Sequence, residues 1–188
     1  QSFYALWDKL DGTVPTKNAL LKQTILNEIA KDKKTLRQVS NSVINWSLPK
    51  QSAETKQHLG WYVDLFVSGR QNNQGERMVT KPIVHDGKIL FTTLIPNQNP
   101  CEFGGQSWIM SLNAENGGSL SEFTFDLNED GQFDDQDKIT VDNQGNKAIP
   151  AGLLSPVGIL AAPATLPAPD KSHTTILLNG NTGVKAVI

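Results

Sequence analysis

Short strand-like runs that end in a glycine-closed turn recur along the chain and constrain its fold more than any other feature. Three such units lie at residues 2–12, 107–117 and 174–183, and each passes from apolar residues through Asp or Asn to a turn closed by glycine. Units of this kind recur in the blades of β-propellers, where each blade needs its neighbours to bury both faces. Blades take about 40–50 residues and a closed propeller needs at least about four of them. We therefore expect residues 1–188 to form one domain that is part of a larger propeller.

Strand signals outnumber helix signals elsewhere in the sequence. The strand-like runs are residues 61–65, 78–84, 88–94, 107–113 and 174–178. The Asp86-Gly87 pair separates two of these runs and indicates a tight hairpin, because glycine tolerates the positive φ of the turn. Pro82 suggests an edge strand or a bulge, since proline cannot donate to the ladder. The sequence predicts an all-β, mainly antiparallel fold.

One segment, residues 18–30, fits either a helix or a strand. Thr16 could be the N-cap of an amphipathic helix whose apolar face carries Leu21, Ile25 and Ile29. A strand around residues 24–29 is the alternative. We favour a short helix or mixed structure here, and no functional prediction depends on it.

Residues 126–137 form the most specific motif of the chain and match a twelve-position calcium loop. The predicted ligands are the side chains of Asp126, Asn128, Asp130, Asp134 and Asp137 and the backbone carbonyl of Gln132. Gly131 stands at the sixth position, where the chain must turn sharply, and Phe133 at the eighth is the predicted apolar anchor. Calcium suits such a loop better than magnesium, because it accepts six to eight oxygens in flexible geometry.

The loop departs from the usual pattern at its last position, where Asp137 replaces the usual Glu. A shorter carboxylate draws the loop tighter, as in dockerin-type loops, but dockerins carry two such loops with a helix after each. Here one loop is followed by the strand-like residues 138–141. The alternative reading is a solvated acidic turn without a metal.

The net negative charge of the chain is a local feature of this loop. Six of the 19 acidic residues lie within these twelve positions, although the formal net charge of the whole chain is only −2. We predict that the metal-free loop is disordered, because Lys138 alone cannot balance the carboxylates. Calcium would then order the loop and dock Phe133. Asp130→Ala or Asp137→Ala should abolish this effect and leave the metal-free chain almost unchanged.

Composition excludes several other classes of function. A charge this close to neutral, with no basic aromatic surface pattern and no glycine-rich phosphate loop, argues against a nucleic-acid partner. No run of about 18 apolar residues exists, so we expect no membrane insertion. The chain begins at Gln1 without an initiator Met or a signal peptide, so we expect it to be processed or excised from something longer.

No catalytic group is indicated by the remaining reactive residues. His58, His85 and His173 have no partners at ligand or triad spacing, and His85 belongs to the hairpin turn. Cys101 could be a free buried thiol, could form a disulfide with a segment outside this chain, or could be reactive; its acidic neighbour argues against reactivity. The four tryptophans are expected to pack between blades rather than to line a binding site; they are Trp7, Trp46, Trp61 and Trp108.

Several segments in order resemble the C-terminal domain of the PilC/PilY family of type IV pilus tip-associated adhesins and biogenesis factors. They are Tyr-Ala-Leu-Trp-Asp-Lys at 4–9, Gly-Trp-Tyr-Val-Asp-Leu at 60–65, Gly-Glu-Arg-Met-Val at 75–79, Leu-Phe-Thr-Thr-Leu-Ile-Pro at 90–96, Pro100-Cys101 with Gly104-Gly105, and the loop at 126–137. The resemblance implies a modified, quinoprotein-like β-propeller with an inserted calcium loop. It implies a place outside the inner membrane of a Gram-negative bacterium, at the pilus tip, the cell surface or the outer membrane.

The same resemblance implies a non-enzymatic function in which calcium tunes pilus extension against retraction and surface attachment. The implied partners are pilus components such as minor pilins, and a host or abiotic surface. A quinoprotein dehydrogenase is the alternative from another class. Many of those enzymes stack their quinone on a vicinal disulfide, which one cysteine cannot form, and hold calcium with dispersed residues. A generic surface- or carbohydrate-binding module is a third interpretation, and no distinctive residue supports it.

Overall fold

The computed structural model describes residues 1–47, 56–70, 74–97, 99, 104–167 and 174–187. The fold is almost entirely β, with 43% strand and 4% helix. In chain order the strands are β1 (Ser2–Leu6), β2 (Leu21–Lys31), β3 (Lys34–Val39), β4 (Gly60–Val67), β5 (Ile83–His85), β6 (Lys88–Thr92), β7 (Ile95–Pro96), β8 (Gly105–Gln106), β9 (Trp108–Asn113), β10 (Ile139–Thr140), β11 (Lys147–Ala148), β12 (Gly152–Leu154), β13 (Ala164–Pro167), β14 (Thr174–Gly180) and β15 (Gly183–Val187). Short 3₁₀ turns occupy Lys17–Ala19 and Asp135–Asp137.

Eight strands of the described chain form one curled sheet in the order β1-β4-β2-β3-β12-β9-β6-β5. All neighbours in this sheet are antiparallel except β2 and β4, which are parallel. Strands β13, β14 and β15 form a separate antiparallel sheet, and β7–β8 and β10–β11 are two-stranded. The predicted all-β, mainly antiparallel fold is confirmed.

The hairpin predicted at Asp86-Gly87 is present. His85 pairs with Lys88 across this turn, and Asp86 and Gly87 both adopt positive φ, 47° and 70°. The first strand is shorter than expected, because β5 begins only at Ile83. Strand β5 lies at the edge of the sheet, which agrees with the position of Pro82 just before it.

A helix within residues 18–30 is wrong, and the alternative of a strand around 24–29 is confirmed. Apart from the 3₁₀ turn at Lys17–Ala19, this segment is strand β2. The alternation of buried residues runs through Gln23, which is fully buried, and a bulge between Ile25 and Asn27 then shifts the register. A polar residue in the core and a bulge together hide the two-residue period of a strand. Gln23 tolerates burial because its amide makes four hydrogen bonds, two donated and two accepted.

The buried side chains form two clusters, and the acidic loop belongs to the second. In the first cluster Phe3 stacks on Trp61 and on Phe91, with ring centroids 5.5 and 4.5 Å apart. The second cluster joins Leu36 of β3 to three residues beside or within the loop, namely Phe125, Leu127 and Ile139. Both ends of the loop are thereby fixed in the hydrophobic core.

The tryptophans divide into two groups. Trp61 and Trp108 are buried as expected, at 1% and 2% exposure. Trp7 and Trp46 instead meet edge to face, with ring centroids 5.6 Å apart, and with Trp61 they line an open hollow of about 430 Å³. The expectation that all four pack internally therefore holds for only two of them.

No helix in the described part of the chain has the length and apolar character that a membrane crossing requires.

Candidate metal centre

The acidic loop lies in the second half of the connection from β9 to β10, and its first half closes around Asp126. The carboxylate of Asp126 accepts hydrogen bonds from the backbone N–H groups of Glu129 (2.7 Å) and Gly131 (2.8 Å). Gly131 has a φ of +78°, a conformation that L side chains rarely adopt. Glycine at the sixth position thus turns the chain back toward the first, as the motif predicts.

The next predicted ligands line the exposed rim of this turn. Asn128 Oδ1 accepts from the N–H of Asp130 at 3.3 Å, and Asp130 Oδ1 accepts from the N–H of Gln132 at 2.8 Å. The Asn128 amide also donates to Asp130 Oδ2 at 2.8 Å. All three side chains are exposed to solvent, so they remain free to rearrange around a cation.

The second half of the loop is organised by Asp134 and Asp137. Asp134 caps the 3₁₀ turn at Asp135–Asp137, and its carboxylate accepts from the N–H of Gln136 at 2.7 Å. The carboxylate of Asp137 accepts from the N–H of Asp134 (3.1 Å) and from the N–H of Leu127 (2.6 Å). Asp137 therefore ties the last position of the loop to its second.

Asp137 is fully buried, with 0% exposure. The salt bridges of this region join Lys34 to Glu129 and Lys138 to Asp135, and leave Asp137 without a cationic partner among the described residues. Buried carboxylates in proteins are normally paired with a cation or bound to a metal. The loop thus holds a buried carboxylate whose described contacts are hydrogen bonds from backbone N–H groups.

The donor set fits calcium, although the carboxylates do not converge. In the described ranges no three Asp, Glu, His or Cys side chains are gathered closely enough to form a metal cluster. Each carboxylate has two oxygens with about four acceptor sites, so the backbone hydrogen bonds above leave lone pairs for a cation. Hard oxygen ligands along one short loop are the ligands that calcium prefers.

Phe133 lies partly exposed in the structure, and its docking when calcium binds stays a prediction. Its side chain is 37% exposed, whereas Leu127 and Ile139 at the two ends of the loop are 1% and 0% exposed. The hydrophobic anchoring of this loop comes from its ends rather than from its eighth position.

Two lysines beside the loop were missed by the sequence analysis. Lys34 Nζ donates to the carbonyl of Leu127 at 2.5 Å and lies 3.1 Å from Glu129 Oε1. Lys31 Nζ donates to the carbonyls of Gln136 and Lys138. Lys138 is therefore not the only lysine beside the acidic residues, which the prediction of a disordered metal-free loop assumed. The lysines are 93 to 107 residues away in sequence, so no local pattern indicates them.

Lys138 itself pairs with an exposed residue of the loop. Its Nζ lies 2.6 Å from Asp135 Oδ1, and this hydrogen bond lowers the pKa of the Asp135 carboxyl. Asp135 is not among the predicted ligands, so this pair does not occupy a ligand oxygen.

The described histidines have local structural contacts. His58 Nδ1 accepts the backbone N–H of Asn45 at 2.9 Å, and burial lowers the pKa of His58. His85 Nε2 lies 3.1 Å from Asp86 Oδ2 within the hairpin turn. The predictions for His173 and Cys101 lie outside the described residues.

The sequence of this chain is similar to proteins of type IV pilus biogenesis. Type IV pilus biogenesis factor PilY1 of Pseudomonas aeruginosa PAO1 is 30% identical over 155 residues, which are 77% of this chain and 13% of that protein. A PilY1 homolog of Xylella fastidiosa Temecula1 is 33% identical over 132 residues, which are 70% of this chain and 10% of that protein. The chain belongs to the PilY1 family.

The fold agrees with this assignment and confirms the resemblance found in the sequence. The crystal structure of the P. aeruginosa PilY1 C-terminal domain superposes with a TM-score of 0.77 at 21% identity and covers 98% of this chain. This chain has the fold of part of that β-propeller-like domain, since it spans 37% of the solved PilY1 chain. No family model matches the sequence.

Proposed function

We propose that this chain is a non-enzymatic, calcium-binding β-propeller region of a type IV pilus biogenesis and tip adhesin protein. The single observation that carries calcium binding is Asp137, a fully buried carboxylate at the closing position of a calcium-loop motif, without a described cationic partner. A bound divalent cation would compensate this charge. The family supports the pilus context, because the relatives are type IV pilus biogenesis factors.

The residues that would hold calcium are those of the motif. They are the side chains of Asp126, Asn128, Asp130, Asp134 and Asp137 and the carbonyl of Gln132. The ion would supply a positive charge that draws these oxygens together. Asp137 is buried and Asp126 is half-buried, whereas the exposed Asn128 and Asp130 would move most.

The proposed consequence of binding is a change in order at the β9–β10 connection. Leu127 and Ile139 belong to the second core cluster, so a tighter loop would also stiffen the sheet around it. We propose that this change adjusts how the propeller engages minor pilins and a host or abiotic surface, and hence pilus extension against retraction. The site of action would be the pilus tip, the cell surface or the outer membrane.

The experiment is a calcium titration of the chain by calorimetry, together with its melting temperature. At 100 times the dissociation constant, binding linkage adds about 2.7 kcal/mol to stability, or about 5–10 °C for a chain of this size. Asp130→Ala should abolish the heat of binding and the shift. Asp142→Ala is the matched control, because Asp142 is also exposed and accepts two backbone N–H groups in a turn, outside the loop.

If the wild-type chain shows no heat and no shift with calcium, the loop is an acidic turn and the proposal is wrong. The pilus part of the proposal is tested separately in cells: Asp130→Ala in the full-length protein should alter surface pili or twitching at unchanged protein level. Dye-linked oxidation after addition of pyrroloquinoline quinone would instead favour the dehydrogenase reading.

A further inference from the structure

The hairpin beside the acidic loop carries an unfavourable charge arrangement. Strands β2 and β3 meet at a two-residue turn of Asp32 and Lys33, and Lys31 is paired directly with Lys34 across it. Like charges placed opposite each other on neighbouring strands destabilise a sheet. Two lysines at this position therefore need compensating partners.

The acidic loop provides those partners at both of its ends. Near the start, Lys34 Nζ contacts the Leu127 carbonyl (2.5 Å) and the Glu129 carboxylate (3.1 Å). Near the end, Lys31 Nζ contacts the carbonyl of Lys138 (2.9 Å) and the carbonyl of Gln136. The two ammonium groups thus bridge the hairpin to both ends of the loop.

None of these four contacts uses a predicted ligand oxygen. Three acceptors are backbone carbonyls that the calcium motif does not require, and the fourth belongs to Glu129, an exposed residue between two ligand positions. The lysines can therefore hold the loop while its ligand oxygens bind a cation.

We propose that Lys31 and Lys34 are positioning residues that hold the backbone of the acidic loop in its closed shape from outside. The inference rests on the proposed function for its calcium readout. The β2–β3 hairpin is then part of the site, and the loop cannot change shape without moving it. Strand β3 also contains the buried residues Leu36 and Arg37. A change in the shape of the loop would therefore reach the main sheet through this strand.

Replacing either lysine by an uncharged residue changes calcium affinity in two opposite ways. The sign of the measured change therefore shows which effect is larger. Removing a positive charge near a cation site favours calcium by electrostatics alone. Removing a group that orients a metal site typically weakens metal affinity by about 10–100-fold. If the lysines position the loop, Lys31→Met and Lys34→Met weaken calcium binding by about tenfold despite the lost charge.

The matched control is Lys33→Met, in the same turn and exposed to solvent. This variant removes the same charge from the same hairpin, so calcium affinity should stay unchanged or rise slightly. Lys31→Arg and Lys34→Arg retain a donor and a charge and should restore most of the affinity. Unchanged or tighter binding by both Met variants would overturn the inference.

Hydrogen exchange in chelator separates this inference from the proposed function. Without calcium, the amides of Gly131, Gln132 and Gln136, which donate to loop carboxylates, should exchange at least about tenfold faster in the Met variants than in Lys33→Met. Amides of β6 and β9 should be unaffected, which a general loss of stability would not allow. If the wild type binds no calcium, the proposed function fails, and this exchange comparison alone decides whether the lysines hold the loop. Equal exchange in all three variants overturns it.

Discussion

The carboxylate of Asp137 accepts a hydrogen bond of 2.6 Å from the backbone N–H of Leu127, although the two residues are separated by ten positions. The bond closes the acidic loop upon itself at the edge of the second core cluster. This hydrogen bond gives Asp137 a structural role that is independent of any cation. Removing the Asp137 carboxylate would leave the buried N–H of Leu127 without an acceptor.

Asp137→Ala should therefore destabilise the chain even in chelator. An unsatisfied buried donor costs about 1–3 kcal/mol, and chemical denaturation without calcium measures that loss. This outcome differs from the sequence-based prediction, in which the metal-free stability is unaffected. The control is Asp142→Ala, whose exposed carboxylate caps a surface turn and whose loss should be smaller. Equal stabilities of wild type and Asp137→Ala in chelator would contradict the structural role.

Arg37 and Glu76 form a buried salt bridge. Their side chains are 2% and 3% exposed, two hydrogen bonds of 2.7 Å connect them, and the guanidinium lies 3.9 Å from the Trp108 ring. Arg37 keeps Glu28 as a second carboxylate partner at 2.9 Å, so Glu76→Gln removes only part of the compensation of this buried charge. It should cost about 3 kcal/mol in denaturant unfolding, the lower end of the range for breaking a buried pair.

The control for Glu76→Gln is Glu122→Gln, since Glu122 is 75% exposed and pairs with Lys88 at 3.4 Å, away from Arg37. Exposed pairs contribute about 0–1 kcal/mol. If the two variants lose similar amounts of unfolding free energy, the buried pair stabilises the fold no more than an exposed pair does.

Gly117 is required by its contact with Trp61. A Cβ at Gly117 would lie 2.2 Å from the indole ring, and its φ is +72°. Gly117→Ala should therefore cost about 2–5 kcal/mol, which combines overpacking with left-handed strain. Gly145→Ala has a similar φ of +83° with nothing within 4 Å, so only the strain of about 1–2 kcal/mol is expected. Thermal unfolding of both variants checks the difference.

His58 should make stability depend on pH near neutrality. Burial lowers the pKa of His58 in the folded chain, and its Nδ1 accepts the N–H of Asn45. The unfolded chain therefore binds the proton more readily, so this contribution is full above the unfolded pKa of about 6.5 and is lost as pH falls. Denaturation at pH 7.5 and 5.5 should show a decrease that His58→Asn removes. An identical decrease in His58→Asn would assign it to other groups.

Local turn chemistry predicted part of the fold well. The Asp86-Gly87 hairpin was predictable because aspartate and glycine favour the required conformation, and the strands after it follow from β-branched and apolar residues. The hairpin at Asp32-Lys33 was not predicted, because both residues adopt positive φ (47° and 63°) without a glycine. Tertiary contacts there override the local preference.

In the candidate site, too, contacts between residues close in sequence were predictable, and contacts between distant residues were not. The spacing of Asp126, Gly131 and Asp137 lies within twelve residues, and the hydrogen bonds that close the loop follow it. Lys31 and Lys34 approach from a hairpin about a hundred residues earlier in the chain, and only the fold of the sheet brings them to the loop.

The measurement that tests the central claim most directly is a crystal structure of this chain grown with calcium, with anomalous data collected to identify the ion. The account predicts one calcium at 2.3–2.6 Å from oxygens of Asp126, Asn128, Asp130, Asp134 and Asp137 and from the carbonyl of Gln132, and an ion-free loop in Asp130→Ala. A loop without an ion at saturating calcium, or a calcium bound elsewhere on the chain, would contradict it.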